Sequence, residues 1–252
     1  MKLFVVNQEY FAQGHPTPYK IAQSIKQNAA TGYTYKGATI TAAEIKLELD
    51  WLYTEIFNSN QEEYENFGLR FYPAFIDGKM GCLMKKTNNH SAFGRSDYWM
   101  LEGSRTPSMF KVNRNNAKEY VNEFFSDIMI DGKLRAQGDP YFKKSRYYDW
   151  FMLRSYFKAN GFVEGASNTG KYALSIQFGL TRPAEADDLY AIYFHQAADK
   201  AEDLLGFTVV LELVNDTIGV ARDTGVNSTS LTNGIIEIGN PCPPRCKGEG
   251  LF

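Results

Sequence analysis

The chain has 252 residues, and its 27 Lys and Arg against 29 Asp and Glu leave a formal net charge of −2. That balance argues against the strongly basic surface of a nucleic-acid binder and against a polybasic membrane-surface binder. A hydrophobic content of 44%, with 3 Trp, 16 Tyr and 18 Phe, supplies a packed core and excludes wholesale disorder.

Taken in chain order, the start Met1-Lys2-Leu3-Phe4-Val5-Val6 falls short of the roughly 7–15 apolar residues of a signal-peptide core, so no leader is expected. Thr17 before Pro18 reads as an N-cap with Pro at the first helical position. A helix over about 18–30 follows, with Ile21, Ile25 and Ala29 on one face and Gly32 as its stop. Residues 41–58 carry two patterns: Ile45, Leu47, Leu49 and Trp51 alternate as in a strand, while Ile45, Leu49, Leu52 and Ile56 keep helical spacing. Thr41-x-x-Glu44 as a capping box, and the Ala, Glu, Lys and Leu content, favour the helix.

Asp77-Gly78 fits a type I′ turn between Phe71-to-Ile76 and Met80-to-Met84, a hairpin whose Pro73 puts the first strand at an edge. Asp97 to Leu101 reads as another strand. A helix at about 116–128 carries the stripe Val121, Phe124, Phe125 and Ile128. The polar, Gly-containing stretch 131–139 is the candidate place for a subdivision of what is otherwise read as a single domain over 1–252. Ser145 to Asn160 reads as an aromatic-rich helix, Tyr172 to Leu180 as a strand and Ala184 to Leu205 as a long helix ending at Gly206. Phe207 to Val214 and Ile235 to Ile238 read as strands by their Val, Thr, Ile and Phe content. Without regular βαβ alternation, the expectation is α+β, mixed helices with a mainly antiparallel sheet, not doubly wound.

The longest apolar stretch, Leu204 to Val214, contains Glu212 and is well below the roughly 18 residues of a membrane span, so no transmembrane segment is expected. Cys82, Cys242 and Cys246 are odd in number, which favours a reducing cytoplasm. In that compartment the sequons at Asn89, Asn215 and Asn227 carry no meaning.

Several fragments suggest chemistry. Gly165-Ala166-Ser167-Asn168-Thr169-Gly170-Lys171 fits a phosphate-binding loop, but Tyr172 stands where Ser or Thr would hold Mg²⁺, and a strand follows instead of a helix N-terminus. Asp223-Thr224-Gly225 matches an aspartic-protease tripeptide, yet the chain has no second copy to share the proton. His195 has Asp188, Asp199 and Glu202 on its helical stripe, a spacing that serves a metal or a base with its orienter and equally an ordinary solvated face. His15 and His90 sit in loops without acidic or Cys neighbours and receive no role. Cys242 and Cys246, across a Pro-Pro spacer, suit a soft metal, a local disulfide or simply an ordered turn, and a second ligand pair for zinc is missing. This Cys-Pro-Pro-x-Cys tail, with the capped segment 41–58 and the strand Gly68 to Phe75, resembles small uncharacterised bacterial proteins. The resemblance implies no activity.

Aromatic residues remain the main functional pointer, because Tyr and Trp are enriched at specific interfaces. The expected function is a non-enzymatic interaction or assembly protein, contacting a protein partner or a second copy through Tyr147, Tyr148, Trp150 and Tyr190. The alternative is a small-molecule or nucleotide-dependent enzyme using His195 with Asp199, or Gly165, Gly170 and Lys171. No cofactor is implied by either.

Overall fold

A computed structural model describes residues 19–53, 67–88, 98–101, 110–150, 153–154, 157, 172–193, 201–215 and 240–242. Helix α1, Tyr19–Gly32, lies where Pro18 and Gly32 place it and buries Ala22, Ile25 and Ala29. The chain then turns through β1 (Tyr33–Tyr35) and β2 (Ala38–Thr39) by way of Lys36-Gly37, both at positive φ (+47° and +82°).

Next comes β3, Ile45–Glu48, followed by a single helical turn at Leu49–Trp51. This corrects the helical reading of 41–58 over its described part. Ile45 and Leu47 point to the core while Lys46 and Glu48 point outward, the period of a strand. Glu44 does not close a capping box; its carboxylate accepts from Ser175 Oγ at 2.5 Å and Gln177 Nε2 at 3.4 Å on the strand that β3 joins. Local composition favours helix, and pairing with a waiting strand overrides it.

The hairpin is as expected and longer: β4, Phe67–Ile76, pairs with β5, Lys79–Asn88, across Asp77 (φ +49°) and Gly78 (φ +80°). Strand β6 (Tyr98–Leu101) joins β5, and β7 (Phe110–Val112) joins β6. Helix α2, Arg114–Asp127, is capped by Asn113, whose side chain accepts from the Asn116 N–H, and it buries Ala117, Val121, Phe124 and Phe125. Residues 129–134 form a further hairpin, β8 (Met129–Ile130) and β9 (Lys133–Leu134), turning on Asp131-Gly132 at φ +51° and +73°. Strand β10, Ser145–Asp149, stands where an aromatic helix was expected, which corrects the first half of that reading. Strand β11 is Tyr172–Thr181, helix α3 is Pro183–Tyr193, a 3₁₀ turn covers Ala201–Leu204, β12 is Gly206–Asn215 and β13 is Asn240–Cys242. The expected strand at Ile235 to Ile238 lies outside the described residues.

Among the described residues these strands form three antiparallel sheets, in the orders β2-β1-β8-β9, β13-β10-β4-β5-β6-β7 and β12-β11-β3. The architecture is α+β with antiparallel sheets, as the sequence indicated. Pro73 sits in a strand with neighbours on both sides, not in an edge strand. It is tolerated because the ladder with β10 runs only from Gly68 to Phe71, leaving the β10 side of Pro73 without a ladder partner.

The main core lies between the six-stranded sheet, α2 and the β11–β12 pair. Phe124 of α2 meets the rings of Tyr33, Phe125 and Phe207 at centroid distances of 5.8, 5.1 and 6.4 Å, and Phe71 meets Tyr148 at 5.6 Å. A smaller apolar cluster joins Ala22 and Ile25 of α1 to Ala186 and Leu189 of α3 and to Leu204, Leu205 and Val210.

The six-stranded and three-stranded sheets meet at β10. Successive side chains of a strand point to opposite faces, so Arg146 and Tyr148 share the face turned toward β12. Arg146 Nε donates to Phe207 O at 2.6 Å, its Nη2 donates to Leu204 O and Leu205 O at 2.8 and 3.2 Å, and Tyr148 Oη donates to Val209 O at 2.6 Å. An edge strand would leave such carbonyls without partners in a dry interior; here side chains of a crossing strand supply the donors. Asn28 and Tyr33 do the same for Leu180 O and Gly179 O of β11, at 3.2 and 2.9 Å. No helix among the described residues is long and apolar enough to cross a membrane.

Candidate functional site

Most of the sequence-derived candidates fall outside the described residues: His195, Asp199, Gly165, Gly170, Lys171, Cys246, His15, His90 and Asp223-Thr224-Gly225. Strand β11 begins directly after Lys171, so the loop does not open the helix that a phosphate-binding loop requires. Asp188 and Glu202 are exposed. Cys242 has its backbone opposite Ser145 at the end of β13. Among the described residues no three His, Cys, Asp or Glu side chains gather as metal ligands.

The proposed contact residues need correction. Tyr147, Tyr148 and Trp150 are each 0% exposed, so they belong to the interior. Tyr190 is half-buried and packs against the small cluster between α1 and α3. The aromatic excess, too large for one buried face of a helix, is absorbed because Ser145–Asp149 is a strand between two packed faces.

The face of β10 that carries Ser145 and Tyr147 points away from β12 and belongs to a polar cluster. Tyr147 is the register partner of Arg70 in β4, and Arg70 is the register partner of Lys85 in β5. Both cations are buried, at 4% exposure each. Arg70 Nη1 donates to Ser145 Oγ at 3.1 Å, and its guanidinium stacks 5.2 Å from the Tyr147 ring centroid. Lys85 Nζ donates to Tyr98 Oη at 3.2 Å and lies 4.6 Å from the same ring. A Cβ on Gly68 would stand 2.6 Å from the Tyr147 ring and 2.3 Å from Tyr148 O; glycine there lets the ring lie across the sheet.

Tyr72, two residues beyond Arg70 on the same face, packs edge-on to Tyr98 at 5.7 Å. Its hydroxyl is fully buried and has no hydrogen-bond partner among the described residues; Tyr98 is near enough to bias its ionisation but not placed to bond it. Burial raises the pKa of both phenols, with the Arg70 charge working weakly against it, so at neutral pH both are uncharged hydrogen-bond donors. Like charges directly opposite each other across a ladder are unfavourable, and burial costs a cation its hydration. The partners that the structure gives Arg70 are a hydroxyl and an aromatic face, both neutral. The cluster therefore combines two buried cations, neutral O–H donors and aromatic walls.

A surface depression on α2, lined by Asn115, Lys118, Glu119, Asn122, Glu123 and Ser126, is the solvated face of that helix and converges on nothing. No protein-family model matches the chain, and neither a curated protein nor a solved structure matches it.

Proposed function

We propose that the protein acts by binding and not by turnover, and that its ligand is a small organic anion, a carboxylate or phosphate ester, held on the six-stranded sheet by Arg70, Lys85, Ser145, Tyr72 and Tyr98. The observation that carries this reading is the Arg70–Lys85 register pair, two buried cations side by side in neutral surroundings at Arg70. A bound anion would accept from the Arg70 guanidinium in the forked geometry that arginine offers carboxylates and phosphates. The Tyr72 hydroxyl would find in it the acceptor it lacks, and the rings of Tyr147 and Tyr98 would flank its organic part. This keeps the non-enzymatic reading of the sequence and replaces a protein partner at an aromatic surface with a small anion at a buried cationic cluster.

Calorimetry with inorganic phosphate, a short dicarboxylate and an uncharged analogue of the dicarboxylate tests it, on the wild type and on Arg70→Gln and Lys85→Gln variants whose folding circular dichroism verifies. The expected result is binding of an anion but not of the neutral analogue, weakened at least tenfold in both variants. Equal affinity in wild type and variants, or no binding of any anion at millimolar concentration, would overturn the reading.

A further inference from the structure

Among the described residues, the sheet face that carries Arg70 is rich in hydrogen-bond donors and short of acceptors. Arg146 pairs with Phe71 at the end of the β10–β4 ladder, so one step further Ser145 stands level with Tyr72, both on the Arg70 face and both buried. Ser145 Oγ accepts from Arg70 Nη1 at 3.1 Å and donates to nothing among the described residues. Tyr98 Oη likewise accepts, from Lys85 Nζ at 3.2 Å. The Tyr72 hydroxyl has no partner at all among them. A guanidinium carries five N–H donors; Arg70 gives one to Ser145, lays its plane against the Tyr147 ring and meets no carboxylate among the described residues. Leu83 and Met100 continue the row of Ser145 and Tyr72 through β5 and β6, and both are buried and apolar. The described polar side chains here thus bring hydrogens to give, two of the three hydroxyls already accept, and no carboxylate or amide oxygen among them stands ready to receive. A buried donor without an acceptor costs more than the bond it fails to make, so a ligand that fits must supply acceptors, and any donor it carried would be stranded in turn.

We infer that the ligand is a 2-oxo carboxylate, an anion that carries acceptors only, and that Tyr72 is the residue that reads its oxo group. This rests on the anion-binding reading above and narrows it. The fork of Arg70 is matched by the two carboxylate oxygens. Tyr72 stands two residues, about 7 Å, further along β4, and its hydroxyl then serves an acceptor attached beyond the carboxylate. An oxo oxygen on the adjacent carbon is the shortest extension that provides one. A hydroxyl in its place adds a donor for which the described side chains hold no acceptor. An ammonium in its place adds three donors and a positive charge beside Arg70 and Lys85, the least favourable exchange on this face.

The test is calorimetry on the full-length chain with pyruvate, lactate, alanine, propanoate and inorganic phosphate, repeated on Tyr72→Phe. That substitution removes a hydroxyl that bonds nothing among the described residues, so the urea midpoint of the variant is expected to stay or rise, which separates lost recognition from lost folding. The expected result is that pyruvate binds at least about tenfold tighter than propanoate, lactate or phosphate, and that alanine does not bind. In Tyr72→Phe the advantage of pyruvate over propanoate falls below about threefold while the affinity for propanoate is unchanged. Anion binding without a preference for pyruvate, or a preference that survives Tyr72→Phe, overturns this inference and leaves the anion-binding reading standing. Binding of no anion at millimolar concentration overturns both.

Discussion

Arg146 shows how one side chain can hold two sheets together. Arg146 is 2% exposed, and its guanidinium donates to the carbonyls of Leu204, Leu205 and Phe207, at the end of the 3₁₀ turn where carbonyl groups lack helical donors. Truncating it leaves those acceptors buried, so Arg146→Ala is expected to cost about 3–5 kcal/mol in chemical denaturation. Tyr148→Phe removes a single hydroxyl from Val209 O and is expected to cost about 1–3 kcal/mol, with an unchanged circular dichroism spectrum. A loss below about 0.5 kcal/mol for both would mean that the carbonyls find other donors. Neither role is legible in the sequence. Reading Ser145 to Asn160 as a helix scatters Arg146 and Tyr148 around a cylinder, and only the two-residue period of a strand aligns them against β12.

At the level of elements, pairing outweighs propensity. The ladder of β11 with β12 runs from Tyr172 through Thr181, and β3 adds to its other side from Ala173 to Ile176. Glu44 then serves the sheet through Ser175 and Gln177 and leaves Thr41 without a capping role. Thr41→Ala is therefore expected to change stability by less than about 0.5 kcal/mol, while Glu44→Ala costs about 1–2 kcal/mol. The helical reading requires the reverse order, so thermal denaturation of the two variants decides between them. Hairpins are better recorded in the sequence. A two-residue turn at Asp77-Gly78 fixes the register of every pair behind it. Arg70 and Lys85 stand equally far from that turn, so their opposition is readable from residue spacing alone. Lys36-Gly37 and Asp131-Gly132 turn in the same way, but their strands are too short to show an alternating pattern.

For the molecule as a whole, the buried charges set how stability varies with pH. Lys143 has a folded pKa of about 8 against an unfolded 10.5, so the unfolded chain binds more protons between these values and stability rises with pH across that window. Below pH 8 the ammonium is charged in both states and its burial cost is fully present. Lys143→Met is expected to stabilise the fold by about 2 kcal/mol at pH 7, an advantage that fades as pH approaches 10.5, measured by urea unfolding at a series of pH values. An advantage that stays constant with pH would show that packing, and not charge, is responsible.

The sequence by itself determined the parts whose signals are local: α1 with its Pro18 and Gly32 limits, the α2 stripe, the Asp77-Gly78 hairpin, strand β11 and the Val-rich strand β12. It also determined the α+β class. Tertiary structure decided the rest. Whether 45–48 is strand, which faces of β10 its tyrosines take, and how Arg70, Lys85 and Lys143 lose their water all depend on segments far away in the chain. Hydrophobic period and turn chemistry act over a few residues, whereas desolvation and ladder pairing exist only once distant strands have met.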